Sequence, residues 1–325
     1  MTVSASDYRQ AVEAILAGQL IGLPTETVYG VGADARNTEA VGRIFKAKGR
    51  PADHPLIVHL ADAQGLSFWA DTVPPEARLL AEHFWPGPLT LILKKHPSVS
   101  PVVTGGQDTV GLRVPDHPVA LTLLRQLSER VPDMGVAAPS ANRFGRISPT
   151  TAAHVYAELG EQLALVLDGG PCAVGIESTI VDCSRGSPVI LRPGGISPAQ
   201  LAQVLGNEPP VQISADAPRV SGALQSHYAP ETRTYVLKSD ALLNYLNAVR
   251  HRGGRCGVVG HSMPRQFVQP HVWRMLPASP EGYAREIYAV LRELDALELD
   301  AIVVEALPET PDWQALQDRL LRAAA

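Results

Sequence analysis

Short apolar runs and helical patterns alternate along the first two hundred residues, and this alternation is what most narrows the fold. Strand-like runs read at residues 20–23, 56–60, 89–93, 110–114, 135–138, 164–167, 178–182 and 189–192. Helices are expected at about 6–17, 38–49, 76–83, 118–130, 150–159 and 197–205. Thr38 reads as the cap of the second helix, whose last turn carries lysines, as the helix dipole favours. The strands outnumber the helices and several lie close together. That combination predicts a mixed, twisted α/β sheet with flanking helices rather than a purely parallel one.

The pattern lapses over residues 206–230, where turn and loop chemistry prevails. It then resumes as strand 234–237, helix 240–250, strands 256–259 and 272–275, helix 281–297, strand 301–305 and helix 312–323. This run reads as a smaller Rossmann-like α/β domain. The expected division is a first domain over 1–206, a linker over 207–232 and a second domain over 233–325. Gly257-Val258-Val259-Gly260-His261 lacks the third glycine of a dinucleotide fingerprint and reads as a strand end.

A chain of 325 residues that is 45% hydrophobic can bury two cores. No apolar run reaches the ~18 residues of a membrane span, and the first residues do not read as a signal peptide. Cys172, Cys183 and Cys256 form no C-x-x-C pair, which points to a reducing, cytoplasmic setting. The net charge of −5 argues against a protein that grips nucleic acid mainly through counterion release.

Local charge is more permissive. Arg43, Lys46, Lys48 and Arg50 have no acid among them, and Lys48-Gly49-Arg50-Pro51 closes a helix in a turn. Such a pair is either a solvated cationic helix terminus or a phosphate clamp, with Arg as a planar fork and Lys as a point charge. Neither a Walker loop nor a G-x-G-x-x-G motif is present, so nucleotide binding needs another solution. Thr25, Glu26 and Thr27 follow Pro24 at a strand end, where hydroxyls serve as backbone caps or as ligand contacts. His59, flanked by apolar residues, reads as a satisfied core histidine as readily as a ligand. Ser140 and Asn142 end one strand, and Ser148 precedes a helix whose N-terminus could hold an anion or simply be capped. Ser-His-Asp, Cys-His and paired-carboxylate patterns do not stand out. Positioning and charge neutralisation, as in nucleotidyl transfer, fit that composition.

At these motifs the chain resembles the YrdC-type threonylcarbamoyl-AMP synthases in their long, two-domain form. The matching pieces are Pro24-Thr25-Glu26-Thr27-Val28-Tyr29-Gly30, Lys48-Gly49-Arg50-Pro51, Pro55-Leu56-Ile57-Val58-His59 and Trp85-Pro86-Gly87-Pro88-Leu89-Thr90. Ala138-Pro139-Ser140-Ala141-Asn142, Glu177-Ser178-Thr179-Ile180-Val181-Asp182, Arg192-Pro193-Gly194 and Ser226-His227-Tyr228-Ala229-Pro230 continue them in order. The resemblance implies that L-threonine, bicarbonate and ATP with Mg²⁺ give threonylcarbamoyl-AMP and diphosphate. A partner enzyme would then pass the threonylcarbamoyl group to tRNA, beside the anticodon.

By motif position, the resemblance implies a threonine pocket of Thr27, His59, Arg113, Ser178 and the backbone at Ala138. Lys48, Arg50, His54, Thr109, Ser140, Asn142, Ser148 and Arg192 fall on the ATP side. Lys48 and Arg50 would be the catalytic pair, with no side chain reserved for a metal. Tyr228 would reach back from the linker over the site, as part of a lid. The chain departs from the family in two places that bear on the site: His54 replaces a common Asn, and Ser221–Ser226 replaces a common Met-Lys-Tyr-Arg run. The competing class is a module that holds double-stranded RNA or tRNA without chemistry. A carbamoyl-adenylate role in hydrogenase maturation would need acylphosphatase-like and zinc-finger segments that are missing here.

Overall fold

The structure, a computed structural model, describes residues 3–212, 217–222, 226–262 and 271–325. The chain divides into two compact units. One comprises Met1–Phe144, Pro149–Ala173 and Glu177–Ala223; the other comprises Gly145–Ser148, Val174–Ile176 and Leu224–Ala325.

In the first unit the elements follow as α1 (Ala5–Leu16), β1 (Ile21–Leu23), β2 (Gly30–Asp34), α2 (Thr38–Lys48), β3 (Ile57–His59), α3 (Leu66–Trp69), α4 (Pro75–Phe84), β4 (Leu89–Lys94) and β5 (Thr109–Arg113). Next come α5 (Pro118–Arg130), β6 (Val136–Ala137), α6 (Ala152–Leu159), β7 (Leu165–Val166), β8 (Thr179–Asp182), β9 (Val189–Arg192) and α7 (Pro198–Leu205). Among the described residues they form a nine-stranded mixed sheet in the order β7-β1-β2-β6-β3-β5-β4-β8-β9.

Strand periodicity divides this sheet into two working faces. Val58, Leu60, Val110, Leu112, Leu89, Leu91, Leu93 and Val181 point into a core shared with α2, α3, α4 and α6. Helices α1 and α5 cover the other face only around β1 and β6, where Ile15, Ile21, Leu123 and Val136 pack together. Along β3, β5, β4 and β8 that second face carries the register partners Ile57 and Gly111, His59 and Arg113, Ile92 and Gly111, and Thr90 and Ile180. It is floored by apolar residues and edged by polar ones. Among the described residues no helix packs there; the chain at Val220 does, against Ile92, Ile180 and Leu191.

Several local expectations are corrected. Strand β2 was not foreseen, because Gly30-Val31-Gly32-Ala33 has no alternating pattern. A side chain at Gly32 would sit 3.1 Å from Val136, so the close packing there selects glycine. Asn37, not Thr38, caps α2, accepting from the amides of Glu39 and Ala40. Thr151, not Ser148, caps α6. The last helix begins at Gln314 after a 3₁₀ turn, and α3 is a single turn too short to show a period.

The second unit contains β10 (Thr234–Leu237), α8 (Ser239–His251), β11 (Cys256–Gly260), β12 (Val272–Met275), α9 (Pro280–Asp295), β13 (Ala301–Glu305) and α10 (Gln314–Ala323). Its four strands are all parallel, in the order β10-β13-β11-β12, as a Rossmann-like domain requires. Helix α8 buries Leu242, Leu246 and Val249, while α9 buries Tyr283, Ile287, Leu291 and Leu294. Gly145–Ser148 belongs to this unit, where Arg146 reaches Asp295 at 3.2 Å and Arg292 donates to the carbonyl of Ile147.

Candidate active site

The uncovered face of the large sheet gathers most of the polar residues that the sequence singled out. Arg113 stands four positions after Thr109 along β5, a span of roughly 13 Å at ~3.3 Å per residue. One end of the face is therefore built around Arg113 and the other around Thr109, Lys48 and Arg50.

At the Arg113 end, a hydroxyl turn sets the geometry. Thr25 Oγ1 donates to the carbonyl of Val28 at 2.6 Å and accepts from the amides of Thr27 and Val28, each at 3.3 Å. Thr25 is thus the turn's cap. The Thr27 hydroxyl, 2.8 Å from that of Thr25, accepts from Arg113 Nη1 at 2.9 Å. Arg113 is 4% exposed and also donates through Nε to the carbonyl of Gly87 at 3.2 Å. That carbonyl is delivered by the Trp85-Pro86-Gly87-Pro88 turn, whose Trp85–Pro86 bond is cis. His59 lies beside Arg113 in register and is 3% exposed. Burial first, and the neighbouring guanidinium second, push its pKa down to about 3, so the imidazole is neutral.

Ser178 closes this end. Its hydroxyl lies 2.8 Å from that of Thr90 and accepts from Arg192 Nη2 at 3.0 Å. Arg192 also holds the Ser178 carbonyl through Nε and Nη2. The following Pro193-Gly194 needs its glycine: a Cβ at 194 would lie 2.3–2.5 Å from the backbone of 177–179. Ala138 packs behind β3, its amide donating to the Ile57 carbonyl at 3.1 Å, which leaves its carbonyl as the available group.

At the other end, α2 closes on Gly49 with φ +61°, a left-handed turn that glycine adopts without strain. The turn buries both flanking cations. Lys48 is 3% exposed and Arg50 7%, so the solvated-terminus alternative fails. Lys48 Nζ donates to the carbonyls of Ser140 and Asn142 at 2.5 and 2.6 Å. Desolvation and then Arg50 hold the lysine pKa well below its ordinary value, while Glu158 acts against them. That carboxylate comes from α6, so the cluster is less free of acid than the sequence implied.

Arg50 donates to the Pro55 carbonyl at 3.0 Å and sits 5.6 Å from the Phe144 ring centre. His54 meets the same ring edge-on at 5.3 Å, and burial with Arg50 lowers its pKa. Thr109 and Asn142 are both buried.

The chain at 219–221 lies over this face. Arg50 donates to Ser221 Oγ at 3.1 Å and Arg192 to the Ser221 carbonyl at 2.8 Å. Arg219 anchors the strap through the carbonyls of Asp53 and Gly105, at 3.2 and 2.7 Å, and Gln107 holds its backbone. Only a narrow cleft remains between Ile57, Ile92, Thr109, Gly111, Ile180 and the strap. Residues 223–225 of the altered linker run lie outside the described residues.

Ser148 and Tyr228 belong to the second unit. Ser148 is fully buried, and its carbonyl lies 3.4 Å from Arg292 Nε. Tyr228 has φ +62°, stacks on Tyr288 at 5.9 Å, and lies under the Arg319 guanidinium at 5.2 Å. Sequence reasoning named Glu26, Thr90 and Ser221 within their motifs without giving them a role, and passed over Phe144. Of these, Thr90 was readable, because it shares the strand face of Ile92.

The Sua5/YciO/YrdC family model, described as "Telomere recombination", matches residues 13–194. A second model, "Threonylcarbamoyl-AMP synthase, C-terminal domain", matches residues 196–325. The threonylcarbamoyl-AMP synthase of Bacillus subtilis is 38% identical over 97% of this chain and 92% of its own length. The Pyrococcus abyssi enzyme of the same name is 39% identical over 97% of this chain and 93% of its length. The crystal structure of P. abyssi Sua5 complexed with L-threonine superposes with a TM-score of 0.91, at 37% identity, over 100% of this chain and 96% of that one. These relatives are named as synthases, which gives no support to the alternative of an RNA-holding module without chemistry. The chain belongs to the Sua5/YciO/YrdC family, in the two-domain form of the threonylcarbamoyl-AMP synthases.

Proposed function

We propose that the protein is a nucleotidyltransferase that joins L-threonine, CO₂ from bicarbonate, and ATP into threonylcarbamoyl-AMP with release of diphosphate. The observation that carries this reading is full-length similarity to named synthases, coupled to one sheet face with a guanidinium end and a buried-cation end.

The threonine carboxylate belongs at Arg113, where a guanidinium fork matches it. Thr27, Ser178, the neutral His59 and the Ala138 carbonyl are placed to read its hydroxyl and amine. The carbamate formed on the amine attacks the α-phosphate of ATP, and diphosphate leaves. Lys48, Arg50 and Arg192 neutralise the phosphates, with His54, Thr109, Ser140, Asn142, Ser148 and Tyr228 as the remaining nucleotide contacts. Charge stabilisation of this kind needs no nucleophilic side chain. Among the described residues no three His, Cys, Asp or Glu side chains converge as a metal site. Mg²⁺ would accompany the ATP substrate, on its phosphates.

The 219–221 strap supports the lid reading: it covers the cleft and meets both Arg50 and Arg192. Substrate phosphates at these arginines would displace Ser221, and the strap would close again over a labile adenylate. The product calls for a cytoplasmic acceptor system that transfers threonylcarbamoyl to the adenosine beside the tRNA anticodon. Direct tRNA contact is a minor part of this reading, given the net charge of −5. The test is diphosphate release with ATP, Mg²⁺ and bicarbonate, with and without L-threonine, together with mass detection of the adenylate. Threonine-dependent diphosphate with the adenylate mass supports the reading; threonine-independent behaviour in folded protein removes it.

A further inference from the structure

Glu26 is an acid buried at the Arg113 end, and the roles assigned above leave it without a task. It is 5% exposed, and its Oε1 lies 2.5 Å from Arg113 Nη2. Neither carboxylate oxygen has a hydrogen-bond partner among the described residues, because the contact with Arg113 is close but poorly aligned. A carboxylate offers about four acceptor sites, and leaving them buried and unmet is unfavourable. A buried ion pair is also weak as a stabilising device, since apolar replacements do as well. The pair therefore asks for a ligand reason.

The surroundings make the pair electrically self-contained. His59 is neutral beside Arg113. His117, at the start of α5, has its pKa lowered by burial, with Glu26 pulling the other way, and Cys172 is held as a thiol by burial and by Glu26. One buried negative and one buried positive charge thus stand side by side, an electrostatic template for a zwitterion. An amino-acid carboxylate brought to Arg113 alone would leave two carboxylates around one guanidinium. Threonine avoids this by carrying its own ammonium, which supplies three donors to the unmet oxygens.

We propose that Glu26 holds the α-ammonium of the amino-acid substrate and accepts its proton when the carbamate forms, an inference that rests on the synthase reading. An ammonium has no lone pair and cannot attack carbon. One N–H bond breaks, its electron pair stays on nitrogen, and the proton moves to a Glu26 oxygen. The free amine then forms its N–C bond to CO₂, giving the carbamate as a second proton leaves nitrogen. That second proton balances the dehydration of bicarbonate to CO₂ and water. Glu26 returns its own proton to solvent as the site turns over. The Thr25 turn and the Thr27–Arg113 bond keep the carboxylate aimed at the guanidinium.

Two measurements test this. Glu26→Gln keeps the shape and an acceptor for Arg113 but cannot take the proton. Threonine-dependent diphosphate release is expected to fall at least ~100-fold at pH 7. The deficit against wild type should shrink by about tenfold per pH unit up to pH 9, as the free-amine fraction of threonine grows. A variant that loses only the anchoring of Arg113 would show the same deficit at every pH, and that result overturns the proposal. The second measurement needs neither a variant nor turnover. Wild-type protein is titrated calorimetrically with L-threonine and with 3-hydroxybutanoate, which lacks the amine. Glu26 as ammonium partner predicts at least ~30-fold weaker binding of 3-hydroxybutanoate, about 2 kcal/mol. Equal binding overturns the role of Glu26 while leaving the synthase reading to its own diphosphate test.

Discussion

Lys48 places its amine where two backbone carbonyls accept from it, with the Glu158 carboxylate of α6 acting on it as well. Such a group is poised for an incoming phosphate, with the Arg50 guanidinium beside it. Arg50→Ala and Lys48→Ala are each expected to lower adenylate formation by at least ~100-fold with native circular dichroism. Near-normal turnover in both would remove the clamp. His59 yields a pH prediction. Its folded pKa of about 3 lies below the unfolded 6.5. The unfolded chain alone takes up this proton between those values, so stability falls as pH drops through that window. His59→Gln is expected to remove about 2 kcal/mol of the stability difference between pH 7.5 and pH 5. Guanidinium unfolding at the two pH values measures it, and an unaltered difference contradicts the buried neutral imidazole. At this scale the sequence was legible in part. Lys48, Arg50, Arg113 and Ser178 were singled out from their motifs, and the structure buries all four. Glu26 was given no role because its importance comes from a guanidinium 87 positions away that only β5 brings beside it.

At the level of elements, the site depends on strands that present alternate residues to opposite faces. Thr109, Gly111 and Arg113 look into the site while Val110 and Leu112 look into the core, so β5 serves both at once. The β8–β9 pair is locked by a backbone approach that only glycine at 194 permits. Gly194→Ala is expected to destabilise the first unit by about 2–4 kcal/mol, because backbone must shift to clear the new methyl. A lowered melting temperature with weaker threonine binding would follow from displacement of Ser178 and Arg192. A melting curve like that of the wild type would mean that the 177–179 backbone yields easily. Most strand and helix positions were legible from apolar periodicity to within a few residues. Strand β2 and the one-turn helix α3 were not, since glycine packing and very short elements leave no periodic trace.

For the whole molecule, chemistry and containment are built on different parts of the chain. The sheet face supplies the cations and hydroxyls, and the 219–221 strap supplies the cover through Arg219, Val220 and Ser221. Arg219→Ala removes two carbonyl contacts that pin the strap. It is expected to raise the fraction of product that appears as AMP several-fold, with little change in initial diphosphate release, as measured by chromatography of the quenched reaction. An unchanged AMP fraction would show that the strap does not retain the adenylate.

What could be read from residue order alone was whatever repeats locally: the alternation of strand and helix, the Rossmann-like second half, and the clustered motifs that resemble a synthase family. Local periodicity reports which face of an element is buried, because the same side chains recur every two or every 3.6 residues. The burial of Lys48 and Arg50, the strap across them, and the pairing of Glu26 with Arg113 were decided by the tertiary structure. Each depends on the electrostatic environment created when distant segments exclude water together, and no local pattern encodes that exclusion.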